Sequence, residues 1–173
     1  MSNEKAVLRK ELLSLRKTLP KTSLTIDMLN GYKEFRNAKT VFCYVSALGE
    51  VDTLSLLSEI PKEKVLTVPY CIDNDGNMIA VEITGSEDLE KGRFGIYEPK
   101  RPVPFPKEKI DFVIVPGVAF SKDFYRLGYG KGYYDRFLSD INPFKLGVCK
   151  KELFVESLPH NEYDIKMDNI LII

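Results

Sequence analysis

A lysine set between glycines, with an aspartate four residues later, is the part of this sequence best equipped for chemistry. From Arg126 to Leu138 the chain reads RLGYGKGYYDRFL, with Gly128, Gly130 and Gly132 at alternate positions and Lys131 between the last two. Glycines allow close backbone approach, and a helix starting just after them turns its first, unpaired N–H groups and its dipole toward an anion. Phosphate suits such a site. The common phosphate loops do not fit, however. Gly132 stands where the Walker pattern needs Ser or Thr, and the dinucleotide fingerprint needs its third glycine one place later. Plain turn chemistry also explains three glycines before a helix. Asp135 favours the ligand. A first-turn carboxylate suits the dipole but repels phosphate, and the two coexist if a divalent metal lies between them. Mg²⁺ takes one or two carboxylates plus phosphate oxygens. Arg126 and Lys131 would offset the remaining charge, whereas the bland reading of Asp135 is a helix-end acid facing water.

The flanking elements hold this loop. Val113–Val115, closed by Pro116-Gly117, reads as a buried strand ending in a turn, followed by a loop. After the glycines, Tyr134, Phe137, Leu138 and Ile141 mark one apolar helix face, with Tyr133 off it. A helix over 3–19 carries a stripe of Leu8, Leu12, Leu15 and Leu19 and stops at Pro20. At 100° per residue, Lys5, Arg9 and Arg16 fall within about 40° of one another beside that stripe, where they can rim a cleft or simply snorkel. Lys10 and Lys17 lie on the far side. A second helix is predicted over 23–35, capped by Thr22 or Ser23. A strand over 40–47 then leads to GEVDT and a helix to residue 60, capped by Asp52 or Thr53. Residues 64–69 form a strand, and Asn74-Asp75-Gly76-Asn77 a hairpin turn before MIAVEI. Residues 92–106 are rich in Gly and Pro and read as an irregular surface loop. It could lie over a cleft, with Phe94, Ile96 and Tyr97 against a flat ring or pinning the loop. FKLGVC and DNILII give two last strands. Alternating helices and apolar strands imply an α/β domain with a mixed sheet.

Composition bounds the function. At 173 residues the chain is read as one domain, residues 1–173, with length for a substantial core. With 25 basic and 25 acidic residues it has no overall field for nucleic acid or a membrane surface. No apolar run is long enough to span a membrane, and the charged start is not that of a signal peptide. Cys43, Cys71 and Cys149 are an odd number of widely spaced thiols, which suggests a reduced, cytoplasmic protein without a zinc site. His160 is the sole histidine, so histidine metal clusters and Ser-His-Asp triads are largely excluded.

The segment from Arg126 to Leu138 resembles the signature of the 5-formyltetrahydrofolate cyclo-ligase (5,10-methenyltetrahydrofolate synthetase) family. The likeness extends through VPGVAF, GEVDT, Glu98-Pro99, Lys5–Arg9 and the surroundings of Asp164, in the family's order along nearly the whole chain. It implies a three-layer α/β single domain with a mainly parallel mixed sheet, related in architecture to sugar-phosphate isomerases and CoA transferases. It also implies ATP- and Mg²⁺-dependent cyclisation of 5-formyltetrahydrofolate to 5,10-methenyltetrahydrofolate, releasing ADP and phosphate. By the resemblance Lys5, Arg9 and Arg126–Tyr134 (Arg126, Leu127, Gly128, Tyr129, Gly130, Lys131, Gly132, Tyr133, Tyr134) face ATP. Val45, Glu50, Tyr129, Gly130, Lys131, Gly132 and Tyr133 face the folate, Glu50 through pterin donors. Arg126 and Lys131 are the catalytic cations. Asp135 and Asp164 hold Mg²⁺, with Asp168 a competitor for the second place. Helical phase puts Tyr134 toward the core, so packing is its expected job. Tyr70 and Tyr163 depart from the family pattern, which expects a basic residue at the first and His or Asn at the second. Lys145, Lys150 and Lys151 could meet a polyglutamate tail, with solvated lysines as the default. A monomer with small-molecule substrates, and no nucleic-acid or membrane partner, is expected. Two other classes stay open: a sugar-phosphate isomerase on the same scaffold, which would not use ATP, and a catalytically silent folate or nucleotide binder.

Overall fold

Short apolar runs rich in β-branched residues become the parallel strands of a central sheet, and the amphipathic segments between them cover its faces. The computed structural model describes residues 2–47, 49–92 and 95–173. Its helices are α1 (Ser2–Thr18), α2 (Ile26–Asn30), α3 (Lys33–Asn37), α4 (Leu54–Glu59) and α5 (Tyr133–Leu138). The strands are β1 (Thr40–Cys43), β2 (Val65–Cys71), β3 (Met78–Ile83), β4 (Leu89–Lys91), β5 (Tyr97–Pro99), β6 (Pro104–Phe105), β7 (Phe112–Val115), β8 (Ala119–Ser121), β9 (Arg126–Leu127), β10 (Phe144–Cys149), β11 (Phe154–Val155) and β12 (Asn169–Ile172). The main sheet is seven-stranded in the order β12-β10-β7-β1-β2-β3-β6. From β12 to β2 all neighbours run parallel, and β3 and β6 close the edge antiparallel.

Successive residues of β1 divide the core between the two faces, as the strand period requires. Val41 and Cys43 join Leu29, Phe35, Leu56 and Leu57 from α2, α3 and α4 on one side. Phe42 joins Leu12 of α1 and Phe137 and Leu138 of α5 on the other. Its ring stacks on Phe137 with centroids 4.8 Å apart, fastening α5 to the middle of the sheet. The result is the expected three-layer arrangement.

Several local expectations change. The helix foreseen over 23–35 is two helices, α2 and α3, separated by Gly31 and Tyr32. Tyr32 adopts an extended conformation, and its ring packs near Phe144. Neither Thr22 nor Ser23 caps α2; Thr25 holds the N-cap position, and Ser23 forms a bridge with Asp52. The strand foreseen over 40–47 ends at Cys43. Beyond it the chain is held by the Tyr44 hydroxyl donating to Val51 O (2.7 Å) and by Thr53 Oγ1 donating to Tyr44 O (2.7 Å). Leu15 is exposed while Arg16 turns inward. The segment between β7 and the glycines is a hairpin, β8 and β9, where only a loop was expected. Residues 92–106 are less irregular than foreseen, since β5 pairs with β4 and β6 extends the main sheet beside β3. Tyr97 packs on the core and Ile96 stays exposed; Phe94 lies outside the described residues.

Lys145 and Lys150 are buried, contrary to the solvated default. Lys145 Nζ pairs with Asp168 at 2.8 Å, and Lys150 Nζ donates to Pro20 O at 2.9 Å. The cysteines are free; Cys43 and Cys149 are buried and Cys71 is exposed.

Because Phe42 joins the sheet to α5, Phe42→Ala should cost about 3–5 kcal/mol in urea unfolding; a cost below about 1 kcal/mol would remove that role. Burial pushes the Cys149 thiol up to about 12 and raises Cys43 further. A water-soluble aromatic disulfide at neutral pH should therefore titrate Cys71 alone in the folded chain, with Cys43 and Cys149 reacting only after unfolding.

Candidate active site

The glycine loop gets its shape from two left-handed residues. Gly130 has φ +103° and Gly132 φ +70°, while no positive φ is found at Tyr129 or Lys131. Alternating φ signs are the backbone pattern from which anion-binding nests are built. Among the described residues, the N–H groups of Tyr129, Gly130, Lys131 and Gly132 donate to no protein acceptor. The neighbouring carbonyls, by contrast, are engaged. Arg9 Nε donates to Gly128 O at 2.7 Å, and Arg136 Nη2 donates to Lys131 O at 2.9 Å. α5 spans only Tyr133–Leu138, so the loop amides and nearby cations matter more than any helix dipole.

Acids and bases gather around the nest. The Arg126 side chain, 6% exposed, reaches Asp135 Oδ2 at 3.0 Å and lies 5.4 Å over the Tyr134 ring. Its Nε and the Tyr134 hydroxyl are both buried without a hydrogen-bond partner among the described residues. Tyr134 does pack edge-on against Phe42, as its helical phase predicted, yet its polar end is left for something else. Burial, with the Glu50 charge second, raises the Tyr134 phenol, so it stays a donor.

Asp135 Oδ1 accepts from the N–H of Ile165 at 3.3 Å, which brings this acid beside the segment carrying Asp164. Asp164 Oδ2 takes Lys5 Nζ at 2.5 Å and the Asn161 N–H at 2.6 Å. Asp168 is elsewhere. Its carboxylate accepts from the Lys145 N–H at 2.7 Å, near the entry to β10, at the opposite end of the parallel strands from Pro116 and the glycine loop. Among the described residues no group of three or more His, Cys, Asp or Glu could cage a metal. The two acids that approach one another here, Asp135 and Asp164, are each held by a cation, Arg126 and Lys5.

The other wall comes from the chain after β1. Glu50 Oε2 accepts from the Ala47 N–H at 2.8 Å, and Glu50 Oε1 accepts from the Tyr129 hydroxyl at 2.5 Å. Burial first, then the Glu50 charge, pushes that phenol well up, so it remains the donor. Val45 is buried just upstream of this turn. Lys5, Arg9 and Arg16, aligned on one face of α1, all meet this region, with the Arg16 guanidinium 5.3 Å from the Tyr129 ring centre. Lys10 and Lys17 stay exposed on the other side. Lys131 Nζ reaches Asn74 Oδ1 at 3.5 Å, and the Tyr133 hydroxyl donates to Asp73 O at 2.5 Å. Leu127 is buried under the loop; Tyr163 is exposed beside Asp164, and Tyr70 is half-buried in β2.

The loop residues, α1 cations, Glu50, Asp135 and Asp164 thus come together from distant parts of the sequence. The docking of the β2–β3 turn on the glycine loop, and Arg136 within it, went unforeseen. NDGN signals a turn but carries nothing about what the turn touches. Gly130→Ala, which would force a side chain into the left-handed region and against the Arg9 guanidinium 3.3 Å away, should cost about 1–2 kcal/mol of stability. Urea unfolding measures it, and a cost near zero would mean that the loop does not hold this conformation.

Comparison with known proteins gives the family and the fold. The model of the 5-formyltetrahydrofolate cyclo-ligase family matches residues 1–173. The NMR structure of the Aquifex aeolicus 5,10-methenyltetrahydrofolate synthetase superposes with a TM-score of 0.82 at 36% identity, covering 97% of this chain and 89% of that one. The Mycoplasma pneumoniae 5,10-methenyltetrahydrofolate synthetase superposes with a TM-score of 0.73 at 25% identity, covering 96% and 97%. The 5-formyltetrahydrofolate cyclo-ligase of Mus musculus is 28% identical over 177 residues, 94% of this chain and 87% of its own length. The family model spans the whole chain and the mostly parallel fold is shared with these structures, and the chain belongs to the 5-formyltetrahydrofolate cyclo-ligase family of ligases.

Proposed function

We propose that this chain closes 5-formyltetrahydrofolate to 5,10-methenyltetrahydrofolate in an ATP- and Mg²⁺-dependent reaction that releases ADP and phosphate. The observation that carries the reading is the row of unpartnered amides from Tyr129 to Gly132, flanked by Lys5, Arg9, Arg126 and Lys131. A triphosphate supplies the oxygens such a row lacks.

The chemistry explains why no protein nucleophile is needed. A formamide carbon is a weak electrophile, and its oxygen leaves poorly. Transfer of the γ-phosphoryl group to that oxygen breaks the bond to ADP and gives an iminium phosphate on the folate. N10 attacks the iminium carbon, loses its proton, and the C–O bond to phosphate breaks. The protein holds the two substrates in line and stabilises charge on the moving phosphoryl group. Tyr129–Gly132 amides hold the phosphates, and Arg126 and Lys131 offset the transferring charge. Glu50 accepts from pterin N–H groups once Tyr129 yields, with Val45 and Tyr133 completing the folate side. Magnesium, when bound by Asp135 and Asp164, neutralises the phosphate oxygens near those acids.

Each of those acids already carries a cation partner, Arg126 on Asp135 and Lys5 on Asp164. An incoming metal–nucleotide brings both signs at once. The cations can turn to phosphate and the carboxylates to the metal, and no charge is left alone. Formation of methenyl absorbance after mixing enzyme with 5-formyltetrahydrofolate should need both ATP and Mg²⁺ and should stop in excess EDTA. Turnover without ATP would refute the reading. Lys131 is an exposed side chain, so Lys131→Met should lower kcat by about 100-fold or more while moving stability by less than about 0.5 kcal/mol. A folded variant with full activity would strip Lys131 of its role.

A further inference from the structure

We propose that Arg136 is a positioning residue that clamps the glycine loop to the β2–β3 turn and so aims the Gly132 amide at the bound phosphate. This rests on the proposed function and goes a step beyond it. Arg136 Nη2 donates to Lys131 O at 2.9 Å and also to Asp75 O. In a planar trans peptide the C=O and the following N–H point opposite ways. A guanidinium holding Lys131 O therefore fixes the direction of the Gly132 N–H. Arg9 does the same at the other end of the nest, where its hold on Gly128 O sets the Tyr129 N–H.

The turn behind Arg136 is a braced block. Asp73 Oδ1 accepts from the N–H groups of Asp75 (2.8 Å) and Asn77 (3.1 Å), and Asp73 Oδ2 from Asn77 Nδ2 (2.7 Å). Gly76, at the tip of a hairpin where exposure is the rule, is buried. A Cβ there would lie 2.1 Å from Arg136 Nη2 and 2.5 Å from Lys131 O, and its φ of +100° already favours glycine. Turn and loop thus touch backbone to backbone, with Arg136 Nη2 between them. Tyr133 and Lys131 add two further bonds to the same turn, through Asp73 O and Asn74 Oδ1. Nothing in the clamp depends on the charge of Arg136 reaching the nucleotide.

That last point gives the test. Steady-state kinetics with ATP varied should show Arg136→Ala raising KM for ATP by about tenfold, the expected loss of one aligned hydrogen bond to a charged group, with kcat changed by less than about threefold and a melting temperature lowered by no more than about 4 °C. Arg136→Lys keeps the charge, but its Nζ ends one bond short of the Nη2 that serves both carbonyls, so it should behave like Arg136→Ala. Gly76→Ala pushes the turn off the loop without altering charge, and should raise KM likewise. Combining it with Arg136→Ala should add little further, since both break one contact. A wild-type KM in Arg136→Lys would overturn the clamp in favour of a simple charge effect, as would full additivity in the double variant. Direct titration with ADP separates the two levels of the argument. No binding by the unaltered chain defeats the proposed function, whereas equal binding by the unaltered chain and Arg136→Ala defeats this inference alone.

Discussion

On the proposed function, the peptide planes at Tyr129 to Gly132 must face one way, and that is a demand on backbone dihedrals before it is one on side chains. A chain of L-residues does not hold alternating φ signs unaided. Gly130 and Gly132 make the conformation possible, and the engaged carbonyls of Gly128 and Lys131 make it persistent. The supports come from three separate elements: α1 through Arg9, α5 through Arg136, and the β2–β3 turn through Asp73 to Gly76. α5 is in turn pinned to the sheet where Phe137 stacks on Phe42. Core packing and loop geometry are therefore one mechanical unit.

Charge is arranged with the same economy. The chain carries equal numbers of acids and bases, and the site repeats that balance locally through Arg126 with Asp135 and Lys5 with Asp164. Isolated ions at 6–23% exposure would be destabilising, and pairing removes most of that penalty. The pairs contribute little net stability themselves. Their value on the proposed function is that both partners have somewhere to go when a metal and a polyanion arrive together. The Arg126 Nε and the Tyr134 hydroxyl lie in the same cluster, buried and without a hydrogen-bond partner among the described residues.

Much of this was legible in the amino-acid order, and the reasons are local. Glycine spacing before a helix, and cations at helical phase on α1, depend on backbone geometry alone, so Lys5, Arg9 and Arg16 were seen to share a face. The parallel strands were visible as apolar runs. What escaped was decided by contacts between distant segments. Tyr32 leaves helical geometry where its ring packs near Phe144, and this splits the second helix. Tyr44 leaves the sheet because Val51 and Thr53 offer it better partners than a neighbouring strand. Lys145 and Lys150 look like solvated lysines until Asp168 and Pro20 are seen beside them. Asp168 is spent on that pairing, which leaves Asp164 as the acid near Asp135. Residues 119–127 lacked the Asn-Gly signal of a tight hairpin, and Phe124 takes a left-handed conformation that sequence would assign to glycine.

The most direct test of the central claim is an amide-resolved NMR titration of the ¹⁵N-labelled chain with Mg²⁺ and a non-hydrolysable ATP analogue. Saturable shifts concentrated at the amides of Tyr129, Gly130, Lys131 and Gly132, with smaller ones at Asp135 and Asp164, are predicted. A saturable response centred on another part of the chain, with these four signals unmoved, would contradict it.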